Sequence, residues 1–406
     1  MQVRVWDFSR CLFSISTATA LLAACGWGSQ PPTAMSQTPG IAPARTTAHH
    51  VETTSSSCHN LYSFTGSPDG SKPYASLLDV KGTLYGTTAG GGTNGKGTVF
   101  SIGTAGTEHV LYSFAGSPDG GGPEAGLIDV SGTLYGTTIG GGTSSDGTVF
   151  AVSKSGKERV LYSFGGDPDG AQPQANLLDV KGTLYGTTSS GGTNNAGTVF
   201  SISTTGEEHL LHNFSAATDG FSPEAGLIEV NGTLYGTAVQ GGAYDKGTVF
   251  SIGTDGTFHV LHSFGAGNDG ANPIASLIDV KGTLYSTTKR GGKRGTGTVF
   301  RVSTTGMEHV VYFFRHNIPH PVTPETGLTA VGKMLYGTSS LGSPYYGGTV
   351  FSMTRSGTVQ VVCDFRRYGY YDAAPSASLV DANGKLYGTT AVGGTYGDGS
   401  VFTLTP

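Results

Sequence analysis

The chain has 406 residues, of which 67 are glycine and 18 are proline, while only 13 % are charged. Glycine exceeds twice its usual share of roughly 7 %, and charged residues reach about half of their usual 25 %. With 10 % aromatic residues, this composition favours a turn-rich all-β protein and argues against helical bundles and coiled coils. A net charge of −5 gives no global attraction to nucleic acid, so no nucleic-acid partner is expected.

Residues 1–24 have the pattern of a lipoprotein signal peptide. Arg4 and Arg10 supply positive charge, and the apolar stretch over residues 11–24 is too short to span a bilayer. The Leu-Ala-Ala-Cys sequence that ends at Cys25 resembles a bacterial lipobox, whose cysteine is acylated. Gly26, in place of an aspartate, favours the outer membrane or cell surface, with membrane attachment through this lipid only. An ordinary secretory signal is the alternative.

Residues 25–57 comprise the acylated cysteine and a tether. Proline, serine, threonine and alanine dominate this segment, and no apolar period is visible, so a flexible spacer is predicted. His49 and His50 lie in it as spacer residues, without a predicted metal site.

From residue 58 onward the chain repeats a unit of about 50 residues. GTLYGTT starts at residues 82, 132 and 182, and variants of it start at 232, 282, 332 and 384. GTVFSI at residue 97 and LYSF at residue 61 also recur seven times. Seven copies of three motifs exclude two or three unrelated domains, so residues 58–406 form one array.

Each unit contains four short runs that are typical of β-strands. X-Gly pairs such as Lys81-Gly82 separate the first two runs and suit a type I′ hairpin. Gly86, within the second run, leaves room for close packing by another sheet. In the fourth run, Val110, Tyr112 and Phe114 are expected on one face. Four strands repeated seven times predict an all-β, seven-bladed β-propeller, with a β-solenoid as the alternative.

The two ends of the array predict how the propeller closes. The chain enters with the fourth run, residues 59–64, and leaves after the third run, residues 399–404. We therefore expect the amino-terminal strand to complete the last blade, which removes two open edges that would invite aggregation.

The whole unit resembles a known bacterial repeat. The pattern DGxxPxAxLIDVxGTLYGTTxxGGxxxxGTVFSI…HVLYSF is similar to the GloVer-type tandem repeat of surface proteins that carry varied anchors, over residues 58–406. This resemblance implies an extracytoplasmic protein with a kelch-like propeller, and it implies no activity. The usual carboxy-terminal sorting tail is absent, and the lipobox is expected to replace it.

Several repeated polar residues are predicted to have structural roles. Histidines recur at 50-residue intervals, on different blades and too far apart to share an ion: His59, His109, His209, His259 and His309. Asp-Gly pairs recur between units, and we interpret them as turns: Asp69, Asp119, Asp169, Asp219 and Asp269. Cys58 and Cys363 align four residues apart on neighbouring outer strands, about 13 Å along a strand, so free thiols are expected, with a disulfide as the alternative. No cofactor, metal site or catalytic residue is predicted.

The loops that depart from the repeat define a candidate binding site. Charges are counted in each loop between blades only as far as the proline that opens the next unit. In the loops of the first four blades and the loop entering the fifth, acidic residues then outnumber basic ones by five. In the remaining loops, basic residues outnumber acidic ones by five. The candidate ligand-binding residues of blades five to seven are Lys289, Arg290, Lys293, Arg294, Arg315, His316, His320, Tyr345, Tyr346, Arg366, Arg367, Tyr368, Tyr370 and Tyr371. Sequence drift in the late repeats, with loops that are only solvated, is the alternative.

These features predict a monomeric surface module that binds or scaffolds, without catalytic activity. Its loop face would meet an acidic polysaccharide or a surface protein, because arginine pairs with carboxylates and sulfates and tyrosine stacks on sugars. The alternative is an enzyme on that face acting on extracellular polysaccharide. It would be a lyase or hydrolase, or a metal oxidase that uses His316 or His320.

The lipobox gives the first testable prediction. Intact mass or palmitate labelling of the membrane fraction should detect lipid on Cys25, and Cys25→Ala should release soluble protein because the acyl anchor is lost. A Cys25→Ala variant that stays equally membrane-bound would contradict acylation.

Overall fold

The computed structural model describes residues 58–315, 321–342, 346–366 and 374–406. These residues form seven four-stranded antiparallel sheets, arranged as the blades of a β-propeller. The predicted fold class is therefore confirmed. The described part of the chain contains no helix long and apolar enough to cross a membrane.

The four strands of each blade follow one another outward from the axis, and we number the blades 1 to 7 along the chain. The innermost strands are Leu78–Val80, Ile128–Val130, Leu178–Val180, Ile228–Val230, Ile278–Val280, Thr329–Val331 and Val380–Ala382. The second strands are Thr83–Thr88, Thr133–Thr138, Thr183–Thr188, Thr233–Ala238, Thr283–Thr288, Met334–Ser339 and Lys385–Thr390. The third strands are Thr98–Gly103, Thr148–Ser153, Thr198–Ser203, Thr248–Gly253, Thr298–Ser303, Tyr346–Thr354 and Ser400–Leu404. The outermost strands are Glu108–Ser113, Glu158–Ser163, Glu208–Asn213, Phe258–Ser263, Glu308–Phe313, Val359–Arg366 and His59–Ser63.

Two-residue strands also pair within the loops of five blades. They are Gly70–Ser71 with Gly90–Gly91, Gly120–Gly121 with Gly140–Gly141, Gly170–Ala171 with Ser190–Gly191, Gly270–Ala271 with Arg290–Gly291, and Pro321–Val322 with Leu341–Gly342. The first member of each pair precedes an innermost strand, and the second follows a second strand. Both kinds of loop therefore lie on one side of the propeller, which we call the loop face. The tight turns within blades lie on the other side, the hairpin face.

The first hairpin of each blade follows the predicted turn chemistry. Lys81 and Gly82 both have positive φ, 55° and 85°, as a type I′ turn requires. The Asp79 side chain accepts a hydrogen bond from the Gly82 amide at 2.9 Å, which stabilises the turn.

Phenylalanine pairs join the blades. Phe64 of blade 7 packs edge to face on Phe100 of blade 1, with ring centroids 5.0 Å apart, and both side chains are fully buried. The same pair occurs at the other six blade interfaces: Phe114–Phe150, Phe164–Phe200, Phe214–Phe250, Phe264–Phe300, Phe314–Phe351 and Phe365–Phe402. These aromatic rings form the centre of the hydrophobic clusters between blades.

Gly86 makes room for this packing within its own blade rather than for another sheet. A Cβ atom at Gly86 would lie 2.6 Å from the Phe100 ring and 2.9 Å from Leu77. Gly86 and Phe100 are direct cross-strand partners, so the aromatic ring lies over the glycine of the adjacent strand. The expectation of an approaching second sheet was wrong in this respect.

A β-bulge in the outermost strand changes the predicted alternation. Val99 pairs with Tyr112 while Phe100 pairs with Val110, so Leu111 is the extra residue. Because cross-strand partners share a face, Val110 and Tyr112 point to opposite faces of the blade, contrary to the simple period of two. Tyr112 and Leu111 pack toward blade 2.

The amino-terminal strand completes blade 7, as predicted. His59–Ser63 pairs antiparallel with Ser400–Leu404, giving the blade one strand from the start of the array and three from its end. Cys58, directly before this strand, lies at the hairpin face.

Cys58 and Cys363 form a disulfide, so the expectation of free thiols was wrong. Their Cα atoms are 5.9 Å apart. The four-residue offset gives a distance only for strands that run level with each other, whereas the outermost strands of neighbouring blades are offset along their length. The interface between blades 7 and 1 shows the same offset without a disulfide. There Tyr62 contacts Glu108, and these two residues occupy the positions of Cys363 and Cys58.

Closure by the amino-terminal strand can be tested by deleting residues 58–64. The deletion exposes the edge of Ser400–Leu404 and removes the buried Phe64, whose loss alone costs about 3–5 kcal/mol. We expect aggregation or a strongly lowered melting temperature by differential scanning calorimetry.

The matched control is Cys58→Ser with Cys363→Ser, which keeps the strand and removes only the disulfide. This variant should stay folded and lose about 2–5 kcal/mol. A truncated protein that melts at the parent temperature would contradict the closure.

Candidate functional site

Aspartates hold the loops that lead from one blade to the next. The carboxylate of Asp69 accepts hydrogen bonds from the Thr65 and Gly70 amides, at 2.9 and 2.6 Å. The Tyr62 hydroxyl donates to the same carboxylate at 2.9 Å. Asp119 and Asp169 repeat this arrangement, and at Asp219 and Asp269 a histidine takes the place of the tyrosine. The interpretation of these aspartates as turn residues agrees with this geometry.

A buried carboxyl group of the next blade adjoins each of four such clusters. The Tyr62 hydroxyl lies 3.5 Å from Glu108 Oε2, while Oε1 of Glu108 is buried without a hydrogen-bond partner. Burial, followed by the negative charge of Asp69, raises the pKa of Glu108 to about 7. The pKa values of Glu158, Glu208 and Glu308 are raised to about 7 by burial and by the corresponding aspartates.

At each blade interface, one residue of the outermost strand meets one residue of the next blade, and the two change together from interface to interface. In chain order around the propeller, the seven pairs are Tyr62–Glu108, Tyr112–Glu158, Tyr162–Glu208, His212–Phe258, His262–Glu308, Tyr312–Val359 and Cys363–Cys58. His212 stacks flat on Phe258 with centroids 3.9 Å apart, at a position where four other blades have a glutamate. The paired replacement of both partners is the sequence signal that could have revealed the disulfide.

Large side chains are concentrated on the loop tips of blades 4 to 7. In blades 1 to 3, the loop after the second strand carries small residues such as Thr93, Asn94 and Ser144. In the equivalent loops, Tyr244 of blade 4 is 53 % exposed and Tyr396 of blade 7 is 63 % exposed. We call the exposed side chains of this sector the loop-tip patch: Tyr244, Arg290, Lys293, Arg294, Leu341, Val392 and Tyr396.

The predicted basic residues of blade 5 lie in this sector, with different partners. Arg290 is exposed and belongs to a two-residue strand paired with Ala271, and Arg294 is exposed at the loop tip. The Lys293 ammonium lies 4.9 Å from the centroid of the Phe313 ring. Arg315 is exposed, and its charge opposes the burial that raises the pKa of Tyr312.

Lys289 contributes less unpaired positive charge to the loop face than the sequence suggested. Its Nζ lies 2.9 Å from the carboxylate of Glu325. Glu325 follows Pro324, and the sequence count of loop charges ended at that proline. The local excess of positive charge is therefore smaller than predicted.

The remaining predicted residues belong to blade 6 and the loops beside it. The backbones of Tyr346 and Arg366 are paired across the third and outermost strands. The other candidates lie outside the described residues: His316, His320, Tyr345, Arg367, Tyr368, Tyr370 and Tyr371.

A set of residues around the axis, which the sequence reasoning missed, also faces the loop side. Residues two positions before the start of each innermost strand meet around the axis. The Gly126 amide donates to Asn176 Oδ1 at 2.6 Å, and the Gly226 amide donates to Ser276 Oγ at 3.0 Å. Two residues earlier the repeat carries its most variable position, with Tyr74, Glu124, Gln174, Glu224, Ile274, Glu325 and Ser376. This variation directly after an invariant proline was the available signal.

Two glutamates of this axial set have raised pKa values. Burial raises the pKa of Glu124, the charge of Glu224 raises it further, and Lys72 opposes the shift. Burial also raises the pKa of Glu224, against a hydrogen bond from Ser222 and the charge of Lys289. No group of three or more potential metal ligands occurs among the described residues.

Comparisons with known proteins agree with the fold and the repeat. The family model described as the Gloeobacter/Verrucomicrobia repeat matches residues 40–250 and 223–406, which confirms the resemblance drawn from the motifs. No curated protein matches the chain.

Solved structures show the fold alone. A streptogramin B lyase structure is similar with a TM-score of 0.57 and 14 % identity, over 86 % of this chain and 97 % of that one. The BP39L lectin from Burkholderia pseudomallei has a TM-score of 0.57 and 10 % identity, over 83 % of this chain and 96 % of that one.

The interface glutamates predict that stability falls as pH rises. Their pKa is higher in the folded than in the unfolded chain, so protonation favours folding. This contribution is complete below about pH 4.5 and is lost as the pH passes about 7. Replacing Glu108, Glu158, Glu208 and Glu308 together by glutamine should raise the melting temperature at pH 8 and flatten its dependence between pH 5 and 8.

The control is Glu207→Gln, because Glu207 is exposed and lies beside this position in blade 3. The assignment fails if the fourfold variant and the parent show the same slope of melting temperature against pH.

Proposed function

The chain belongs to the Gloeobacter/Verrucomicrobia repeat family, and on this basis we propose that it is a bacterial cell-surface binding module whose loop-tip patch binds an acidic polysaccharide. The observation that supports the proposal is the concentration of exposed arginine, lysine and tyrosine on blades 4 to 7 of an otherwise uniform propeller. Loops on a rigid frame can vary without disturbing the fold, so they commonly carry function.

The chemistry of the loop-tip patch suits a chain of acidic sugars. Arg290 and Arg294 present planar guanidinium groups, which form paired hydrogen bonds to carboxylates and sulfates. Tyr244 and Tyr396 offer exposed aromatic faces for sugar rings, and their hydroxyls can stay hydrated. Cys58, the first described residue, lies at the hairpin face, opposite the loop-tip patch.

Binding is tested by retention on immobilised alginate and dextran sulfate at low salt, with neutral dextran as the reference matrix. Arg290→Ser with Arg294→Ser should weaken retention about tenfold or more, because each charge-assisted hydrogen bond contributes about 1.5–3 kcal/mol. Ser190 and Ser144 occupy the equivalent positions in other blades, so the melting temperature should change little. Retention of the parent should also decrease with added salt.

The matched control is Lys81→Ser with Lys181→Ser, which removes two positive charges from the hairpin face. Ser131 occupies the same turn position in blade 2, so these substitutions fit the local backbone. The proposal is falsified if the parent binds neither acidic matrix at low salt, or if the two double variants lose retention equally.

A hydrolase or lyase on the same face is the second candidate. It is favoured by Glu124 and Glu224, two half-buried carboxyl groups of the axial set with raised pKa values. Incubation of the protein with each acidic polysaccharide, followed by a reducing-end assay, tests it. New reducing ends that disappear in Glu124→Gln would favour the enzyme, and unchanged polymer would favour the binding module.

The metal-oxidase alternative rests on His316 and His320, which lie outside the described residues. Cys363 does not offer a free thiol to such a site, because it is bonded to Cys58.

A further inference from the structure

A pocket lies between blades 5 and 6, toward the hairpin face and away from the loop-tip patch. Its volume is about 610 Å³, and Arg301, His309, Val310, Val311, Arg355 and Ser356 line it. Arg301 and His309 are cross-strand partners in blade 5, while Arg355 and Ser356 belong to the turn between the third and outermost strands of blade 6. The volume falls within the range of small-ligand sites, about 300–1,000 Å³.

Arg301 breaks the repeat at a position that is otherwise small and buried. The equivalent residues are Ser101, Ala151, Ser201, Ser251 and Ser352, each at most 9 % exposed, and the partly buried Thr403 of blade 7. Arg301 is exposed in the middle of a strand whose flanking residues, Phe300 and Val302, are fully buried. Arg301 forms no ion pair with any residue that the structure describes, so the fold does not explain a charged side chain at this position.

Arg355 lacks the carboxylate that its equivalent in blade 2 has. There, Lys154 pairs with Asp129 at 2.5 Å. In blade 6 the position of Asp129 is occupied by Ala330, so the counter-charge is missing. Arg355 Nη2 donates to the Gly332 carbonyl at 3.4 Å, and Nε is buried with no hydrogen-bond partner among the described residues.

The nearest carboxyl group along the chain does not serve the pocket. Glu308 precedes His309, but its side chain adjoins Asp269 at the interface with blade 4, where the negative charge raises its pKa. Two guanidinium groups therefore face one pocket, with an imidazole beside them and no carboxylate among the lining residues.

We propose that this pocket, the blade 5–6 pocket, binds the oxyanion group of a small acidic ligand: a carboxylate, a sulfate or a phosphate. Guanidinium groups match the geometry of such groups with paired N–H donors. Val310 and Val311 form an apolar wall for the body of the ligand. This site is independent of the proposed polysaccharide binding, because it lies on the other side of the propeller.

The test is isothermal titration of the purified full chain with sodium sulfate, sodium phosphate and sodium glucuronate, at an ionic strength held constant with sodium chloride. Saturable binding of at least one anion is expected, and the strongest of the three identifies the preferred group. Arg301→Ser and Arg355→Thr should each weaken this binding at least tenfold. Both substitutions introduce residues that other blades carry, such as Ser201 and Thr204, so folding should be retained.

Two controls separate this site from general charge effects and from the loop face. Lys154→Thr makes the matching change in blade 2, where Asp129 already neutralises the charge, and should leave anion binding unchanged. Arg290→Ser with Arg294→Ser should also leave it unchanged, whereas Arg301→Ser should leave retention on the polysaccharide matrices unchanged. The proposal is overturned if the parent binds none of the three anions saturably, if Arg301→Ser binds them as well as the parent, or if Lys154→Thr reduces binding equally.

Discussion

The edge-to-face contact between two phenylalanines at each blade interface is the interaction on which this propeller depends. A phenylalanine at the carboxy-terminal end of one blade's outermost strand packs on a third-strand phenylalanine of the next blade. Phe114, directly after the strand Glu108–Ser113, packs in this way on Phe150. Each second ring lies over a glycine of its own blade, or over Ser286 in blade 5. These rings are fully buried at six of the seven interfaces, and their burial supplies the main favourable term for assembling blades that could not bury their faces alone.

A threonine hydrogen bond accompanies each aromatic contact and fixes the orientation of the blades. Thr87 Oγ1 donates to the Ala125 carbonyl of the next blade at 2.8 Å, and Thr389 closes the circle by donating to Ala75 at 3.0 Å. Both groups are buried, so leaving either one unpaired would be costly. The apolar contact therefore drives association, while the polar contact selects one geometry. At the interface between blades 6 and 7, the Cys58–Cys363 disulfide adds a covalent bond. It holds the amino-terminal strand, which the chain does not connect directly to the other three strands of blade 7.

Such a frame leaves its two faces free to differ from the repeat. On the loop face, aspartates such as Asp69 hold the backbone, so the tips can carry tyrosine or arginine without a cost in packing. On the hairpin face, two departures in neighbouring blades, Arg301 and the loss of a carboxylate at Ala330, place unbalanced charge in one pocket. In both places the informative residues are those that break a rule kept by the other blades.

The sequence by itself determined the number of blades, the four strands in each, the hairpin turns and the closure by the first strand. These features follow from repeated local patterns, since turn chemistry and strand periodicity act over a few residues. Only the tertiary structure decided which residues of different blades meet. The disulfide, the Lys289–Glu325 ion pair and the Arg301–Arg355 pocket each bring together residues of neighbouring blades, and so depend on the offset between those blades. Those offsets arise from the packing of whole sheets, and no local stretch of the sequence specifies them.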